Sequence, residues 1–291
     1  MTSNGVRIAG VKCLSTEQER QVQALRETCR SHEPVELPLF PNPLPPDSPL
    51  KTMFLAYAGE ELVGFASLPV HDTPELVGAI HPDYRRRGIG RQLLAAAREE
   101  ARRRGCADLI LVCEAAAPAG LGFAQAVGSS YDCSEYQLER LRSAAAPQAP
   151  DAPPLEVVLG RREDASLLSQ IGAESFGAGS SPDAERVARG FDNPKQRYYI
   201  AMANGEPVGS LRVLQDPGDA TAHIYSFGVR HAYQRRGYGR RLLNTVVARL
   251  FAEGCEAVRL EVVTTNAPAF ALYSSNGFHA VTEYLYFRIP A

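Results

Sequence analysis

The sequence predicts an α+β protein in which one mixed fold of helices and strands occurs twice. The segment Arg85-Arg-Arg-Gly-Ile-Gly90 recurs as Gln234-Arg-Arg-Gly-Tyr-Gly239, at an offset of 149 residues. Further matches, such as Gly128 with Gly277, keep this offset without a gap, which indicates an internal repeat of domain size. Helical and strand patterns also alternate along the second copy, as is typical of helices packed on a central sheet.

Length and charge limit the class of protein. The 291 residues suffice for two ordinary domains. The net charge of -2 argues against a nucleic-acid binder that neutralises phosphates. No apolar run reaches the roughly 18 residues of a membrane span. The N-terminus lacks a basic stretch followed by an apolar one, so no secretory signal is expected. We therefore expect a cytoplasmic protein that binds neither nucleic acid nor membrane.

The cysteines indicate a reducing compartment and no metal site. The chain has six cysteines, none in a CxxC pair and none with a histidine at metal-ligand spacing. Five of the six lie in the first copy, so no disulfide can form within the second. Free thiols are usual in a cytoplasmic protein.

Proline-rich segments mark the boundaries. Residues 143–154 contain only small residues, proline and single polar groups, and they cannot bury apolar surface. We therefore expect domains at 1–142 and 155–291, joined by this linker. Within the first copy, a helix near residues 16–30 precedes a second proline-rich stretch at 34–49. That stretch is expected to be an irregular loop or flap, because proline blocks both helix continuation and sheet donation.

The second copy can be assigned element by element. The pair Asn204-Gly205 between two alternating runs predicts a hairpin. A helical face follows the glycine turn, and Gly254 is expected to end that helix. Its apolar residues are Leu242, Leu243, Val246, Val247 and Leu250. Strands are expected at 155–159, 197–203, 208–215, 222–229 and 257–263, helices at 162–172, 182–190, 239–253 and 267–274, and a final strand pair within 278–288.

The repeated glycine turn has the properties of an anion site. Gly237 and Gly239 stand between a strand that ends at Val229 and a helix that begins near residue 238. Without a Cβ, these glycines let backbone N–H groups approach an anion, and the helix N-terminus adds partial positive charge. The spacing fits neither the P-loop nor the dinucleotide GxGxxG motif. A structural turn with solvated arginines is the alternative, which the second copy disfavours.

At this point the chain resembles the GNAT superfamily of acyl-CoA-dependent N-acyltransferases. The residues that carry the resemblance are Phe227-Gly-Val229, then the segment 234–239, then Asn266-Ala-Pro-Ala269 and Tyr273 before Gly277. The resemblance implies two tandem GNAT-like domains, each a mixed, splayed central sheet flanked by helices. It also implies acetyl-CoA as cofactor, with the pantetheine arm between the strand ending at Val229 and the strand at 260–263.

The resemblance further implies which residues bind the cofactor. In the second copy they are Phe227, Gly228, Val229, Gln234, Arg235, Arg236, Gly237, Tyr238, Gly239, Arg240, Asn266, Ala269 and Tyr273. In the first copy they are Ile80, Arg85, Arg86, Arg87, Gly88, Ile89, Gly90 and Arg91. Amides of the turn would hold the pyrophosphate, and Asn266 would contact the pantetheine.

Catalysis needs an acid for the leaving thiolate and a base for the attacking amine. Tyr273 would face the sulfur, and its phenol, with a pKa of about 10, is the candidate acid. His223 is the candidate base, since histone-acetyltransferase members of the family have a glutamate at the corresponding place. Glu261 and Tyr225 compete for that role, and a water chain could replace any single base. The alternatives are a core tyrosine and a surface histidine.

The first copy departs from the family pattern. At the 149-residue offset, Ala117 stands for Asn266, Ala124 for Tyr273, and Pro74 for His223. We expect a degenerate domain that keeps the CoA turn and lacks the catalytic motif. This domain would bind acetyl-CoA for a structural purpose, cap the active half, or help to shape the acceptor site of that half. The alternative is that its glycine turn is only a retained structural turn. This arrangement is similar to that of tandem members such as the mycothiol synthases.

The leading hypothesis is an acetyl-CoA-dependent N-acetyltransferase of a small primary amine, acting by direct attack on the thioester in the C-terminal domain. The alternatives are a longer acyl group, a peptide or protein acceptor, and a non-catalytic acyl-CoA-binding regulatory protein, with a monomer or homodimer as the assembly. The acceptor is expected at residues 174–191 and 283–287, where acidic and aromatic side chains would suit a cationic amine. The candidates there are Asp183, Glu185, Asp192, Glu283, Tyr284 and Tyr286.

Overall fold

The structure is a computed structural model, and it describes residues 5–33, 35, 48–70, 73–143, 154–177 and 182–291. Most of the proline-rich segments at 34–49 and 143–154 lie outside these ranges. Among the helices that are described, none is both long and apolar enough to cross a membrane. The described side chains contain no cluster that could hold a metal ion. All six cysteines are free thiols.

The α+β fold is confirmed, but the chain forms two compact units that differ from the contiguous division expected at the linker. Unit 1 comprises Met1–Glu135 together with Thr282–Ala291, and unit 2 comprises Tyr136–Val281. The end of the first copy's last strand therefore belongs to unit 2, and the C-terminal segment belongs to unit 1. The two exchanged strands are equivalent in the repeat, so their sequence patterns could not reveal the exchange.

Unit 1 contains a mixed sheet with the strand order β1-β2-β3-β4-β5-β12. The strands are β1 (Val6–Val11), β2 (Met53–Ala58), β3 (Glu61–Ser67), β4 (Glu75–Ile80), β5 (Asp108–Glu114) and the unit 1 part of β12 (His279–Pro290). Strands β4 and β5 run parallel, whereas the β1–β2, β2–β3, β3–β4 and β5–β12 pairs are antiparallel. The helices are α1 (Thr16–His32), α2 (Ile89–Arg103) and α3 (Pro118–Ala126). A capping box of Ser15 and Gln18 begins α1.

Unit 2 repeats this plan with the strand order β6-β11-β10-β9-β8-β7. The strands are β6 (Ser130–Leu141, from Tyr136 onward), β7 (Glu156–Leu159), β8 (Gln196–Ala203), β9 (Glu206–Leu214), β10 (Thr221–Val229) and β11 (Ala257–Val263). The helices are α4 (Ala165–Phe176), α5 (Ala184–Gly190), α6 (Tyr238–Ala252) and α7 (Ala267–Ser274). The final strand pair expected within 278–288 is wrong, because β12 runs without a turn to Pro290.

Equivalent apolar faces build the two cores. The predicted face of α6 is fully buried, since Leu242, Leu243, Val246, Val247 and Leu250 are each 0% exposed. On α2 four of the five equivalent positions, Leu93, Leu94, Ala97 and Ala101, are buried apolar residues, and the fifth is Arg98. Alternation along β8 places Tyr199 on the α6 side of the sheet and Tyr198 on the α4 and α5 side.

In each unit the parallel strands part toward their carboxyl ends. Strands β10 and β11 pair from Thr221 with Ala257 to Ile224 with Leu260. The β4–β5 pair is limited to Glu75 with Ile110 and Leu76 with Leu111. The predicted splay is therefore present in both copies, and the gap opens beside the glycine turns.

A buried carboxylate ties α2 to the segment before β2. Glu100 is 4% exposed and accepts hydrogen bonds from Arg103, from Arg104 and from the Lys51 amide. Burial alone would raise the pKa of Glu100, but the hydrogen bonds from Arg103, Lys51 and Arg104 outweigh it and hold that pKa below its usual value. The ionised carboxylate therefore stabilises the folded state.

We expect Glu100→Gln to lower the free energy of unfolding at pH 7 by about 3 kcal/mol, because it leaves the largely buried Arg104 without its counter-ion. The folded-state pKa is depressed, so this stabilisation is present above the unfolded pKa of about 4.3 and is lost as pH falls through the folded value. Urea unfolding at pH 7 and near pH 3 measures both effects. Glu99→Gln, at the exposed neighbouring position, is the matched control. Equal losses in the two variants at pH 7 would contradict the assignment.

Candidate functional site

The glycine turn of unit 2 presents backbone amides at the start of α6. After β10, Arg235 and Gly237 adopt left-handed conformations, with φ of 60° and 85°. Helix α6 then begins at Tyr238, and no side chain caps its N-terminus. The first amides of a helix have no acceptor within the helix, so here they can face an anion. The Gln234 side chain fixes the turn by donating to the Val229 carbonyl at 2.9 Å.

Unit 1 contains the same turn in the same conformation. Arg86 and Gly88 have φ of 63° and 81°, and α2 begins at Ile89. The Arg85 guanidinium donates to the Ile80 carbonyl at 3.2 Å, which reproduces the contact between Gln234 and Val229. A guanidinium in each turn lies over a tyrosine ring, Arg87 over Tyr84 and Arg236 over Tyr233. The predicted repeat is therefore present at the level of backbone dihedrals.

Tyr273 lies in the unit 2 core beside the gap between the strands. It is 7% exposed, and its ring centroid lies 6.1 Å from those of both Phe227 and Phe278. Burial raises the pKa of Tyr273 to about 12, so its phenol keeps its proton at neutral pH. The group is therefore a hydrogen-bond donor throughout the physiological range.

A β-bulge turns Phe227 toward Tyr273. Tyr225 pairs with Arg212 and Gly228 with Ser210, so three steps on β10 match two on β9. Ser226, inside the bulge, has φ of 49°. The extra residue reverses the alternation, and Phe227 packs with the α6 core instead of following Tyr225. Gly228, which directly follows Phe227, is a local sign of this bulge in the sequence.

The bulge also corrects the alignment of the two copies. Strand β4 pairs with β3 from Val77 to Ile80 without an extra residue. Because unit 2 has one extra residue in the bulge, residues that precede the bulge match their unit 1 equivalents at an offset one residue shorter than 149. His223 pairs with Arg259, and the equivalent partner of Ile110 is Glu75. Glu75, and not Pro74, takes the place of His223 in unit 1. Burial and then the charge of Glu135 raise the pKa of Glu75.

The three candidate bases of unit 2 lie on strands β10 and β11, on the side of the sheet away from α6. The His223 and Tyr225 rings stack with centroids 6.3 Å apart. Burial, and then the charge of Glu261, raise the pKa of Tyr225 to about 12, against the opposing charge of Arg212. A phenol with that pKa stays protonated at neutral pH and cannot serve as a base. His223 and Glu261 remain candidates.

The other predicted cofactor residues of unit 2 have identifiable local roles. The Asn266 side chain caps α7 by accepting from the Ala269 amide at 3.2 Å. The Arg240 guanidinium donates to Ser275 at 3.1 Å, which joins the start of α6 to the end of α7. Arg235 and Arg236 are exposed around the turn.

Unit 1 contains a cavity of about 670 Å³ in the gap between β4 and β5. Turn residues such as Gly88 and Arg91, the β5 residues Cys113 and Glu114, and Tyr284 line it. Its size falls in the usual range of small-molecule sites. Burial raises the pKa of the Cys113 thiol to about 11, so the thiol is neutral and unreactive at pH 7.

Two substitutions between the copies remove aromatic rings from unit 1, and the glycine of one of them lines the cavity. Helix α3 has Ala124 at the position of Tyr273, and β4 has Gly78 where the bulge places Ser226 and Phe227. The Tyr273 and Phe227 rings of unit 2 therefore have no counterpart in unit 1. The copy expected to be degenerate thus contains a cavity large enough for a small molecule.

The acceptor residues expected at the C-terminus lie in unit 1, which corrects their assignment to the second copy. Residues Tyr284 to Pro290 pair with Glu114 to Asp108 of β5, and Tyr284 lines the unit 1 cavity. Glu283 also belongs to unit 1, and the Tyr286 hydroxyl donates to Glu135 at 2.9 Å.

The acidic candidates in unit 2 have structural roles. Asp183 caps α5 by accepting from the Arg186 amide, whereas Glu185 and Asp192 form exposed ion pairs with Arg189 and Arg162. A small pocket of about 50 Å³ lies on the α4 side of the sheet. Its lining includes Phe176, Tyr198, Ser210, Arg212 and Ser226. Sequence reasoning missed Arg212, although a single arginine in the mostly apolar strand β9 was a usable signal.

Comparisons with known proteins agree with this architecture. The chain is 30% identical over 220 residues to a mycothiol acetyltransferase of Gordonia bronchialis, covering 71% of each chain. It is 33% identical over 133 residues to the N-alpha-acetyltransferase RimI of Mycobacterium tuberculosis, covering 45% of this chain and 82% of the relative.

Solved structures share the whole fold. A GCN5-related N-acetyltransferase from Sphaerobacter thermophilus matches with a TM-score of 0.78 at 19% identity, covering 99% of this chain and 96% of the other. A tandem GNAT protein from the clavulanic acid biosynthesis pathway matches with a TM-score of 0.74 at 20% identity, covering 98% of both chains. The model of the acetyltransferase (GNAT) family matches residues 20–128 and 167–278. The chain is a tandem member of the GNAT acetyltransferase family.

Proposed function

We propose that this acyltransferase moves an acetyl group from acetyl-CoA to the primary amine of a small molecule, with catalysis in unit 2. The observation that carries the proposal is the buried, protonated Tyr273 beside the Phe227 bulge and the start of α6. A phenol at this position can act on the leaving sulfur. Unit 1 has an alanine there, so it offers no equivalent donor.

The residues of unit 2 fit the cofactor. Amides from Arg235 to Arg240 would hold the pyrophosphate, since the turn combines left-handed backbone with an uncapped helix N-terminus. The pantetheine arm would lie where β10 parts from β11. When bound, acetyl-CoA supplies a thioester carbonyl that a neutral amine can attack.

The protein groups would control two protons. His223 or Glu261 would remove the proton from the acceptor ammonium, directly or through water. The Tyr273 phenol would donate a hydrogen bond to the departing sulfur. Its pKa of about 12 exceeds the value of about 8.5 for a thiol, so stabilising the thiolate by hydrogen bonding is favoured over complete proton transfer.

The similarity to mycothiol acetyltransferases supports a small-molecule amine as acceptor. A peptide N-terminus is the second candidate, because a separate similarity links the chain to RimI. For unit 1 we propose that the cavity between β4 and β5 binds an acyl-CoA without turning it over.

The experiment that tests this function is acetyl-CoA-dependent thiol release against a panel of amines. The panel contains a cysteinyl pseudodisaccharide, aminoglycosides, polyamines, amino acids and short peptides with free N-termini. We expect release with small amines and not with peptides. Release with peptides alone would favour the second candidate, and bound cofactor with no release for any amine would favour a non-catalytic acyl-CoA-binding protein.

A further inference from the structure

Arg212 occupies the centre of a row of side chains across the unit 2 sheet. It lies directly opposite Tyr198 on β8 and directly opposite Tyr225 on β10. Its guanidinium carbon lies 5.0 Å from the Tyr225 ring centroid. The row faces α4 and α5, on the side of the sheet away from α6.

Arg212 lacks the acidic partner that three other arginines of unit 2 have, and the buried Arg140, which also lacks one, donates instead to the Asn244 side chain. Arg230 pairs with Glu174, Arg259 with Glu139 and Arg197 with Glu253. Over the described part of unit 2, Arg212 forms no ion pair, and its buried Nε has no hydrogen-bond acceptor. A half-buried cation with an unused donor is costly unless an anion completes it.

The position of Arg212 relates it to the acyl-transfer gap. Arg212 and Ser210 line the small pocket together with Ser226, which immediately precedes Phe227 in the bulge. On β10, Tyr225 interacts with the charges of both Arg212 and Glu261. One face of the sheet thus contains the Arg212 cation and the Glu261 carboxylate, with the Tyr225 ring between them.

We infer that Arg212 binds a carboxylate of the acceptor, so that the substrate of unit 2 is an amine that also carries a carboxylate. The planar guanidinium matches a carboxylate through paired hydrogen bonds, and the Ser210 and Ser226 hydroxyls add donors. The small pocket suits a carboxylate better than a bulkier phosphate. The amine end would extend past Tyr225 toward Glu261 and the bulge. This inference rests on the proposed function and deepens it.

The test compares acceptors that carry an anionic group with analogues that lack it. Amino acids and their carboxamides are assayed for thiol release, and ethanolamine is compared with O-phosphoethanolamine. We expect the native chain to prefer the carboxylate by about 10- to 100-fold in kcat/KM, mainly through KM. Arg212→Gln should remove this preference, so that the carboxylate and the carboxamide acceptors are used with similar kcat/KM. Arg212→Lys should retain part of the preference, since the charge remains.

Arg189→Gln, in an exposed ion pair on α5, is the matched control and should leave the preference unchanged. A preference that survives Arg212→Gln, or a stronger preference for the phosphate-bearing amine, would overturn the inference. A direct binding measurement keeps the test independent of turnover. N-Acetylated amino acids should bind the native chain at least tenfold more tightly than their carboxamides, and this difference should vanish in Arg212→Gln.

Failure of the proposed function is distinguishable from failure of this inference. If no amine is acetylated but the carboxylate probe binds through Arg212, the anion site stands and the enzymatic proposal fails. If carboxamides are acetylated as efficiently as amino acids and the probe shows no dependence on Arg212, the anion site is refuted while the enzyme stands.

Discussion

Replacing Tyr273 by phenylalanine should lower kcat for acetyl transfer by about 100-fold or more and leave the affinity of unit 2 for acetyl-CoA nearly unchanged. Removal of one hydrogen-bond donor to a developing negative charge typically costs about 10²- to 10³-fold in kcat, and the change removes only the hydroxyl. The ring would still pack between Phe227 and Phe278, so the gap between β10 and β11 should keep its shape. Steady-state kinetics and calorimetric titration with acetyl-CoA measure the two quantities separately.

Tyr199→Phe is the matched control for that experiment. Tyr199 is also a buried tyrosine of the unit 2 core, and burial raises its pKa as well, but it lies on β8 away from the gap. We expect its kcat to stay within about twofold of the native value. Wild-type kcat in Tyr273→Phe, or a loss of cofactor affinity without a loss of turnover, would refute the role of the phenol.

The pH profile provides a further reading of the same substitution. Because the pKa of Tyr273 lies near 12, its deprotonation should produce no falling limb in kcat below about pH 10. If His223 is the base, kcat/KM should rise with pH as the imidazole loses its proton, and His223→Gln should abolish that rise. A rise that persists in His223→Gln would move the role to Glu261 or to a water chain.

The sequence predicted the parts of this protein that depend on local residue pattern. The glycine turns, the buried face of α6 and the hairpin at Asn204-Gly205 all arise from spacing within one element or its immediate neighbours. Arg86 and Arg235 share a left-handed conformation because the repeated segment specifies the same turn twice. The resemblance to the family then supplied the splay between the parallel strands, which both units contain.

Features that depend on strand pairing were beyond the sequence. The one-residue bulge at Ser226 changes which residue of unit 1 is equivalent to His223. Only the registers of β4 and β10 identify that residue as Glu75. The exchange of β6 and β12 is likewise a choice between two equivalent strands with the same alternation. The environment of Arg212 also depends on strand register, because its neighbours Tyr198 and Tyr225 lie on two different strands.

We expect the native chain to bind two acetyl-CoA molecules, and Gly88→Val and Gly237→Val each to abolish one of them. Both glycines have positive φ at the start of a helix, and a β-branched residue there costs about 1–3 kcal/mol in backbone strain. The turn would then relax away from the conformation that presents its amides. Calorimetric stoichiometry should fall from two to one in each variant, whereas turnover should be lost only in Gly237→Val.

Glycines at the opposite ends of the same helices provide the controls. Gly105 follows α2 and Gly254 follows α6, with φ of 79° and 105°, so valine there causes comparable strain far from the turns. Gly105→Val and Gly254→Val should lower stability by a similar amount and still bind two acetyl-CoA molecules.

Loss of turnover in Gly88→Val with normal turnover in Gly237→Val would transfer catalysis to unit 1. In that case the 670 Å³ cavity, with Glu75 in the place of His223, would become the active site and Tyr273 a core residue. If the native chain binds one acetyl-CoA molecule and only Gly237→Val abolishes that binding, the unit 1 turn is a structural element that binds no cofactor. The two glycine pairs therefore decide which copy performs the chemistry, independently of the identity of the acceptor.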